Sequence, residues 1–244
     1  MADQLKGKVV VITGASSGIG RASAIALAAE GASLVLTARR AGRLNELEEA
    51  IRDAGGRAAS VVGDAREEET AKKTIAAAIS TFGTLDILIN NVGIGNYKNL
   101  VDTSPAEFDE MMDSNVRSTF LFTRFAVPHM IERHSGTILM ISSMAGIYGF
   151  PGESVYSSTK FAQVGFAQSL DKELRPHGIK VGLICPGGVK TEFAIGKGRT
   201  EKGVAESNML TPQDVAAAVL LACTQSAGSR IIEIQMRTMD EPLA

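Results

Sequence analysis

Short apolar runs alternate along this chain with longer stretches of helical character. The runs at 8–13, 33–37, 57–62, 85–89, 136–142, 178–184 and 230–235 read as strands. Segments 18–30, 41–54, 67–82, 104–133, 153–175 and 211–225 carry helical patterns between them. Val9-Val-Val-Ile12 and Leu85-Asp-Ile-Leu-Ile89 are nearly continuously apolar, as strands of a parallel sheet buried on both faces should be. Strands spaced by helices predict right-handed βαβ units and a doubly wound α/β fold, with helices on both faces of seven parallel strands. No linker, repeat or low-complexity tract divides the 244 residues, so 1–244 is expected to be one domain with one substantial core. The least regular stretch is 191–210, where Gly196, Gly198 and Gly203 stand among mixed charges.

The first strand feeds into Gly14-Ala-Ser-Ser-Gly18-Ile-Gly20 and then into Arg21–Glu30, a helical sequence rich in Ala and Leu. Strand, glycine turn and helix together form the context of a dinucleotide site in a Rossmann-like fold. The glycines permit close backbone approach, and the helix N-terminus presents free N–H groups to a pyrophosphate. The residue closing the second strand selects between NAD, through an acidic ribose reader, and NADP, through a nearby arginine. Here Ala38 stands in that place, followed by Arg39 and Arg40, whose guanidinium forks suit a phosphate dianion. Ser16 and Ser17 can add hydroxyl donors. The expected cofactor is therefore NADP(H).

Tyr156 and Lys160 lie four positions apart, with Ser143 upstream. On a helix the phenol and the ammonium share one face. A free tyrosine, with a pKa of about 10, is a poor base at neutral pH, and a fixed ammonium one turn away favours its phenolate. By itself the pair is a weak signal, and two residues on a solvated helix face is the commoner reading.

Together these features resemble the short single-domain branch of the short-chain dehydrogenase/reductase family, over nearly the whole chain. Thr13-Gly-Ala-Ser-Ser-Gly-Ile-Gly20 is similar to its coenzyme loop. Asn90-Asn-Val-Gly93 resembles its N-N-A-G motif, with Val92 in place of alanine. Asn115, Ser143, Tyr156 and Lys160 match its catalytic tetrad, and Pro186-Gly-Gly-Val-Lys-Thr191 its P-G-x-V-x-T segment over the nicotinamide. The resemblance implies hydride transfer between nicotinamide C4 and a carbonyl carbon. Tyr156 would then be the acid/base and Ser143 the hydrogen-bond donor to the substrate oxygen. Lys160 would tune the phenol and bind the nicotinamide ribose, while Asn115 would hold a water linking Lys160 to solvent. It also implies coenzyme contacts at Gly14, Ser16, Ser17, Gly18, Ile19, Gly20, Arg39, Arg40, Asp64, Ala65, Asn91, Gly93, Pro186, Gly187, Val189 and Thr191, besides Tyr156 and Lys160. Asp64 would take the adenine amino group and Asn91 the adenine ribose. The coenzyme half would run over about 1–100 and the catalytic half over about 101–244, with 191–210 as a substrate lid.

Composition narrows the remaining classes. Hydrophobic residues make up 45%, charged residues 21%, and the net charge of −2 offers no footprint for nucleic acid or an anionic membrane. There is no transmembrane-length apolar stretch and no secretory pattern at the start, so the cytoplasm is the expected location. Cys185 and Cys223 have no metal spacing, and no metal site is expected. His129, His134 and His177 share no motif with a carboxylate or serine and are read as surface or capping residues. Ser142-Ser143 lacks the G-x-S-x-G elbow of a hydrolase.

Ile94, Gly95, Met144, Phe150, Gly188 and Phe193 are candidate substrate contacts, largely apolar, which favours a neutral ketone or aldehyde. Lys190, Lys197 and Arg199 leave anionic substrates open. A 3-oxoacyl thioester reductase is the alternative, although the chain lacks the V-D-G-G-like end typical of that group. A catalytically silent NADP-binding regulator is the remote one. The apolar residues Phe120, Leu121, Phe122, Phe125, Phe161, Val164, Phe166 and Leu170 exceed what one sheet face needs, and predict a homotetramer, or else a homodimer, through those helices.

Overall fold

In the computed structural model, which describes residues 4–240, the strand runs become seven parallel strands in the order β3-β2-β1-β4-β5-β6-β7. Residues 1–3 and 241–244 of the expected domain lie outside the described residues. The strands are β1 (Val9–Thr13), β2 (Ser33–Ala38), β3 (Arg57–Val62), β4 (Ile87–Asn90), β5 (Gly136–Ile141), β6 (Ile179–Pro186) and β7 (Glu233–Met236). Alternate β1 side chains point to opposite faces, so Val9 and Val11 enter one core while Val10 and Ile12 enter the other. Helices α3 (Glu68–Phe82), α5 (Ser118–Glu132) and α6 (Ser154–Leu174) cover the first face. Helices α1 (Gly18–Ala29), α2 (Ala41–Asp53) and α8 (Pro212–Cys223) cover the second. This is the doubly wound, Rossmann-like arrangement expected from the pattern.

One expected helix is interrupted. Over 104–133 the chain forms α4 (Pro105–Met112), a π-helical turn at Asp113–Arg117, and then α5. Pro105 at the first helical position and the Ser104–Glu107 capping box start α4. The π turn holds Asn115, and such turns recur at functional positions because they re-aim a side chain without ending the helix.

The stretch 191–210 is less irregular than expected, since it contains α7 (Glu201–Glu206). Its ends meet: Lys190 N donates to Leu210 O at 2.8 Å and Leu210 N to Gly188 O at 3.0 Å. The chain therefore leaves β6, makes an excursion and returns to the same place. Among the described residues no helix is long and apolar enough to cross a membrane.

The surplus of apolar residues on α5 and α6 is mostly absorbed by the core. Leu121, Phe122, Val164 and Leu170 are buried, and Phe125 and Phe166 pack against the same cluster. Phe120 and Phe161 remain exposed, each at 46%.

Candidate active site

A cavity of about 690 Å³ opens at the C-terminal ends of the strands, where the chain crosses from β3 on one side of β1 to β4 on the other. That switch point is where doubly wound sheets bind ligands, and the volume suits a cofactor with a small substrate. The candidate coenzyme contacts line it, with one exception: Gly20 lies beneath the loop. A Cβ at Gly20 would meet the Gly14 carbonyl oxygen at 2.5 Å and Asn91 Nδ2 at 2.6 Å, so only glycine lets the loop fold back this closely. Asn91 tightens the same loop, donating from Nδ2 to the carbonyls of Thr13 at 2.9 Å and Gly14 at 3.2 Å. Helix α1 starts at Gly18 with no side-chain cap from Ser17, leaving its first N–H groups facing the cleft as an anion site requires.

The arginines share duties differently from the expectation. Arg40, not Arg39, reaches the glycine loop, donating to Ser16 Oγ at 3.0 Å and Ser17 Oγ at 2.7 Å. Its Nη1 also binds Glu192 at 2.8 Å, and Arg43 holds that carboxylate at 2.6 Å. Arg43 reads from sequence as a helix-surface residue, and only the fold brings Glu192 above it. Arg39 is exposed, lines the cavity, and its charge reaches Asp64. Asp64 is gripped by Arg66 at 2.7 Å, which holds its carboxyl below the usual range, chiefly through that hydrogen bond.

Ser143, Tyr156 and Lys160 converge on the cavity, whereas Asn115 is fully buried behind it. Asn115 Oδ1 accepts from Ile94 N at 2.7 Å, and its Nδ2 donates to Ile94 O and to Thr159 Oγ1, both at 2.9 Å. The π turn thus pins the loop after β4. Ser143 Oγ accepts from Ala145 N at 3.1 Å. Lys160 Nζ lies 5.8 Å from the Tyr156 ring centroid and donates to Ile141 O at 3.0 Å and Gln163 Oε1 at 2.9 Å. Gln163 in turn donates to the Asn115 carbonyl at 2.8 Å. The sequence places Gln163 at helical spacing from Lys160, but nothing in it shows that its amide joins two tetrad members.

Burial sets the charges here. Desolvation brings Lys160 down to about 8 and pushes the Tyr156 phenol well above its ordinary value. The hydrogen bond with Ser143 pulls the phenol the other way. The expected lowering of the phenol by Lys160 is overridden in this arrangement, because Tyr97 and Phe193 pack their rings on Tyr156, each at 5.7 Å, and exclude water.

Ile94, Gly95, Met144, Phe150, Gly188 and Phe193 all line the cavity, and Tyr97, Glu153 and Arg199 join them. None of the three histidines does. His129 Nε2 accepts from Leu85 N at 3.3 Å ahead of β4, and His134 stacks on His177 at 6.4 Å.

The model of the short chain dehydrogenase family matches residues 8–202. An uncharacterized oxidoreductase of Thermotoga maritima is 35% identical over 234 residues, covering 91% of this chain and 92% of that one. A metagenomic short-chain oxidoreductase, solved in complex with NADP, is 33% identical with a TM-score of 0.84, over 98% of this chain and 100% of that one. A 3-ketoacyl-ACP reductase from Sinorhizobium meliloti is 32% identical with a TM-score of 0.84, over 93% and 97% of the two chains. With most of its length matched by the family model and its relatives aligned nearly end to end, this chain is an oxidoreductase of the short-chain dehydrogenase/reductase family.

Proposed function

We propose that the protein is an NADP(H)-dependent reductase of ketones or aldehydes, with Asn115, Ser143, Tyr156 and Lys160 as its working tetrad. The observation that carries this reading is the convergence of Ser143, Tyr156 and Lys160 on the strand-end cavity beside the glycine loop. The residues fit a dinucleotide: Gly20 lets the glycine loop fold tightly back on itself beneath the cavity, and α1 offers an N-terminus with no side-chain cap. Arg39 and Arg40, with Ser16 and Ser17, would hold a 2′-phosphate, and the NADP-bound likeness supports that choice. When bound, the cofactor supplies the hydride.

The chain's residues do the rest. Ser143 donates a hydrogen bond to the carbonyl oxygen and stabilises the charge that develops there. Tyr156 delivers its proton to that oxygen, and a phenol kept protonated by burial is suited to the acid's part. Lys160, held on Ile141 O and Gln163, is the residue to hold the nicotinamide ribose and to return a proton to the phenol. Residues 1–100 would serve the coenzyme and 101–244 the substrate, with 191–210 as the lid.

The test is NADPH consumption with a panel of ketones, aldehydes, diketones and 3-oxoacyl thioesters. Turnover of ketones or aldehydes supports the reading. A marked preference for thioesters would favour the second reading, 3-oxoacyl thioester reduction, which the Sinorhizobium meliloti likeness supports. No NADPH oxidation with any of them would defeat both.

A further inference from the structure

Arg199 lines the cavity from the excursion between β6 and α8. Its guanidinium carbon stands 5.5 Å from the Tyr97 ring centroid and 5.6 Å from that of Phe193. Both rings also pack on Tyr156, at 5.7 Å. A single aromatic ring's breadth therefore separates this cation from the proposed proton donor.

Apart from Arg39, which stands at the coenzyme end of the cavity, the other cations around the cleft are occupied. Arg40 and Arg43 hold Glu192, Arg66 holds Asp64, and Lys197 pairs with Glu110 at 3.3 Å. Arg199 makes no ion pair among the described residues. It contacts the Val189 carbonyl at 3.4 Å and the Tyr97 hydroxyl, which leaves most of its five donors free. Glu153 lies in its field and lines the same cleft, yet forms no ion pair with it.

The backbone is built to present this residue. Ala194 adopts φ +59°, rare for a residue with a side chain. Its carbonyl accepts from Lys197 N at 2.9 Å and Arg199 N at 3.0 Å, while Gly196 N donates to Arg199 O at 2.9 Å. The resulting tight loop is stitched to the loop after β4, since Tyr97 N donates to Lys197 O at 3.0 Å. Gly198, at φ +108°, packs so closely that a Cβ would come within 2.5 Å of Tyr97 Cβ. Backbone held in a sparsely populated conformation at a cleft points to a function for what it presents.

A guanidinium stacked on aromatic faces, with an open fork, is a receptor for a carboxylate. We propose that the substrate is a short aliphatic oxo acid, with its carbonyl at Ser143 and Tyr156 and its carboxylate on Arg199. This rests on the reductase reading and names its substrate class. The carbonyl carbon takes the hydride of NADPH and the oxygen takes the Tyr156 proton. The C=O π bond is replaced by C–H and O–H bonds, NADP⁺ is left, and the carboxylate is unchanged. Glu153 opposes the substrate's charge and limits acids to those that keep their carboxylate at the Arg199 side.

The experiment compares kcat/KM for oxo acids of about three to six carbons with that for their methyl esters, in the wild type and in R199M, R199K and E153Q. A charge-assisted contact gives the wild type an acid-over-ester ratio of roughly tenfold to a hundredfold. R199M should lose most of it and R199K part, while E153Q should increase it several-fold. These opposite signs mark an electrostatic contact. If Arg199 only braces the two rings, acids and esters suffer alike in R199M and the ratio stays put, which overturns the proposal. Esters preferred over acids in the wild type would overturn it too. As a readout without turnover, a saturated carboxylic acid of matching length should raise the melting temperature of the NADPH-loaded wild type and leave that of R199M unmoved; equal shifts count against the proposal. No NADPH oxidation with any oxo acid or ester, beside turnover of neutral ketones or aldehydes, would overturn the oxo-acid proposal alone; no oxidation with any carbonyl compound would instead defeat the reductase reading, while the melting comparison still decides whether Arg199 binds carboxylates.

Discussion

Lys160 Nζ donates to the Gln163 carboxamide oxygen at 2.9 Å, and the same carboxamide donates from its nitrogen to the Asn115 carbonyl at 2.8 Å. Gln163 is 1% exposed, so its side chain joins two tetrad members inside the protein. An amide does not pass a proton on readily, which makes Gln163 a positioning residue and not a relay. Its oxygen favours the ammonium form of Lys160 against the desolvation that brings it down to about 8.

Gln163→Val should therefore lower the Lys160 pKa further and move the alkaline limb of the kcat profile to lower pH. Gln163→Glu sets a carboxylate beside the ammonium and should move that limb upward. The valine variant also removes the amide's bonds to the Asn115 carbonyl and the Thr119 hydroxyl, which still bond each other at 2.8 Å, at a cost of about 0.5–1.5 kcal/mol per lost bond. Two superimposable pH profiles would show that Gln163 merely fills space.

Tyr156→Phe removes the proposed proton donor while keeping the ring that packs against Tyr97 and Phe193. Turnover should fall by about 10²–10⁴-fold, with NADPH affinity close to that of the wild type by fluorescence titration. Near-normal turnover would remove Tyr156 from the mechanism.

The same buried lysine makes the cofactor-free protein's stability depend on pH. The folded-state value is about 8 against the 10.5 of an ordinary lysine side chain, so from pH about 8 to pH about 10 the unfolded chain holds a proton that the folded chain has released. Stability contributed by this group rises with pH across that window. Tyr156, raised by burial, acts in the opposite sense only above the ordinary tyrosine range. Relative to Lys160→Met, the wild type should gain on the order of 2 kcal/mol over the window, measured by urea unfolding at each pH. A constant gap would show that the lysine is not desolvated in solution.

Arg39→Ala and Arg40→Ala should each weaken NADPH binding roughly tenfold to a hundredfold while altering NADH binding little, since each loses a charge-assisted phosphate contact. Arg40 is engaged by Ser16, Ser17 and Glu192, whereas Arg39 is open, so Arg39→Ala is the cleaner of the two measurements. Equal wild-type affinities for NADPH and NADH would refute the cofactor assignment.

The sheet, its helices and the glycine loop were legible because each has a local cause: continuous apolar strands, amphipathic helices, and a turn that needs glycine. What escaped depends on contacts distant in sequence. Glu192 meets Arg40 across 152 positions, so nothing local in the sequence signals that pair. The π turn at Asn115 has no residue signature of its own, and 104–133 reads as one helix in the sequence. The core absorbed Phe122, Leu121 and Val164, part of the apolar surplus read as a partner surface, which pack with the sheet residues of one buried cluster.

That repacking leaves two of the eight residues to carry the case for assembly. Phe120 on α5 and Phe161 on α6 stay 46% exposed, apolar area that a second copy would cover. A two-fold axis there would make the contact isologous, each phenylalanine meeting the partner's equivalent surface. The short edge strand β7 and the exposed Ile232 offer a second contact, and two such axes give the expected tetramer. Phe120→Lys with Phe161→Lys should then reduce the mass seen by light scattering after gel filtration from four chains to two, whereas Ile232→Lys should act on the other contact alone. A wild-type mass of one chain at micromolar concentration would refute the assembly. A mass of two that the phenylalanine changes abolish would limit it to the helical face.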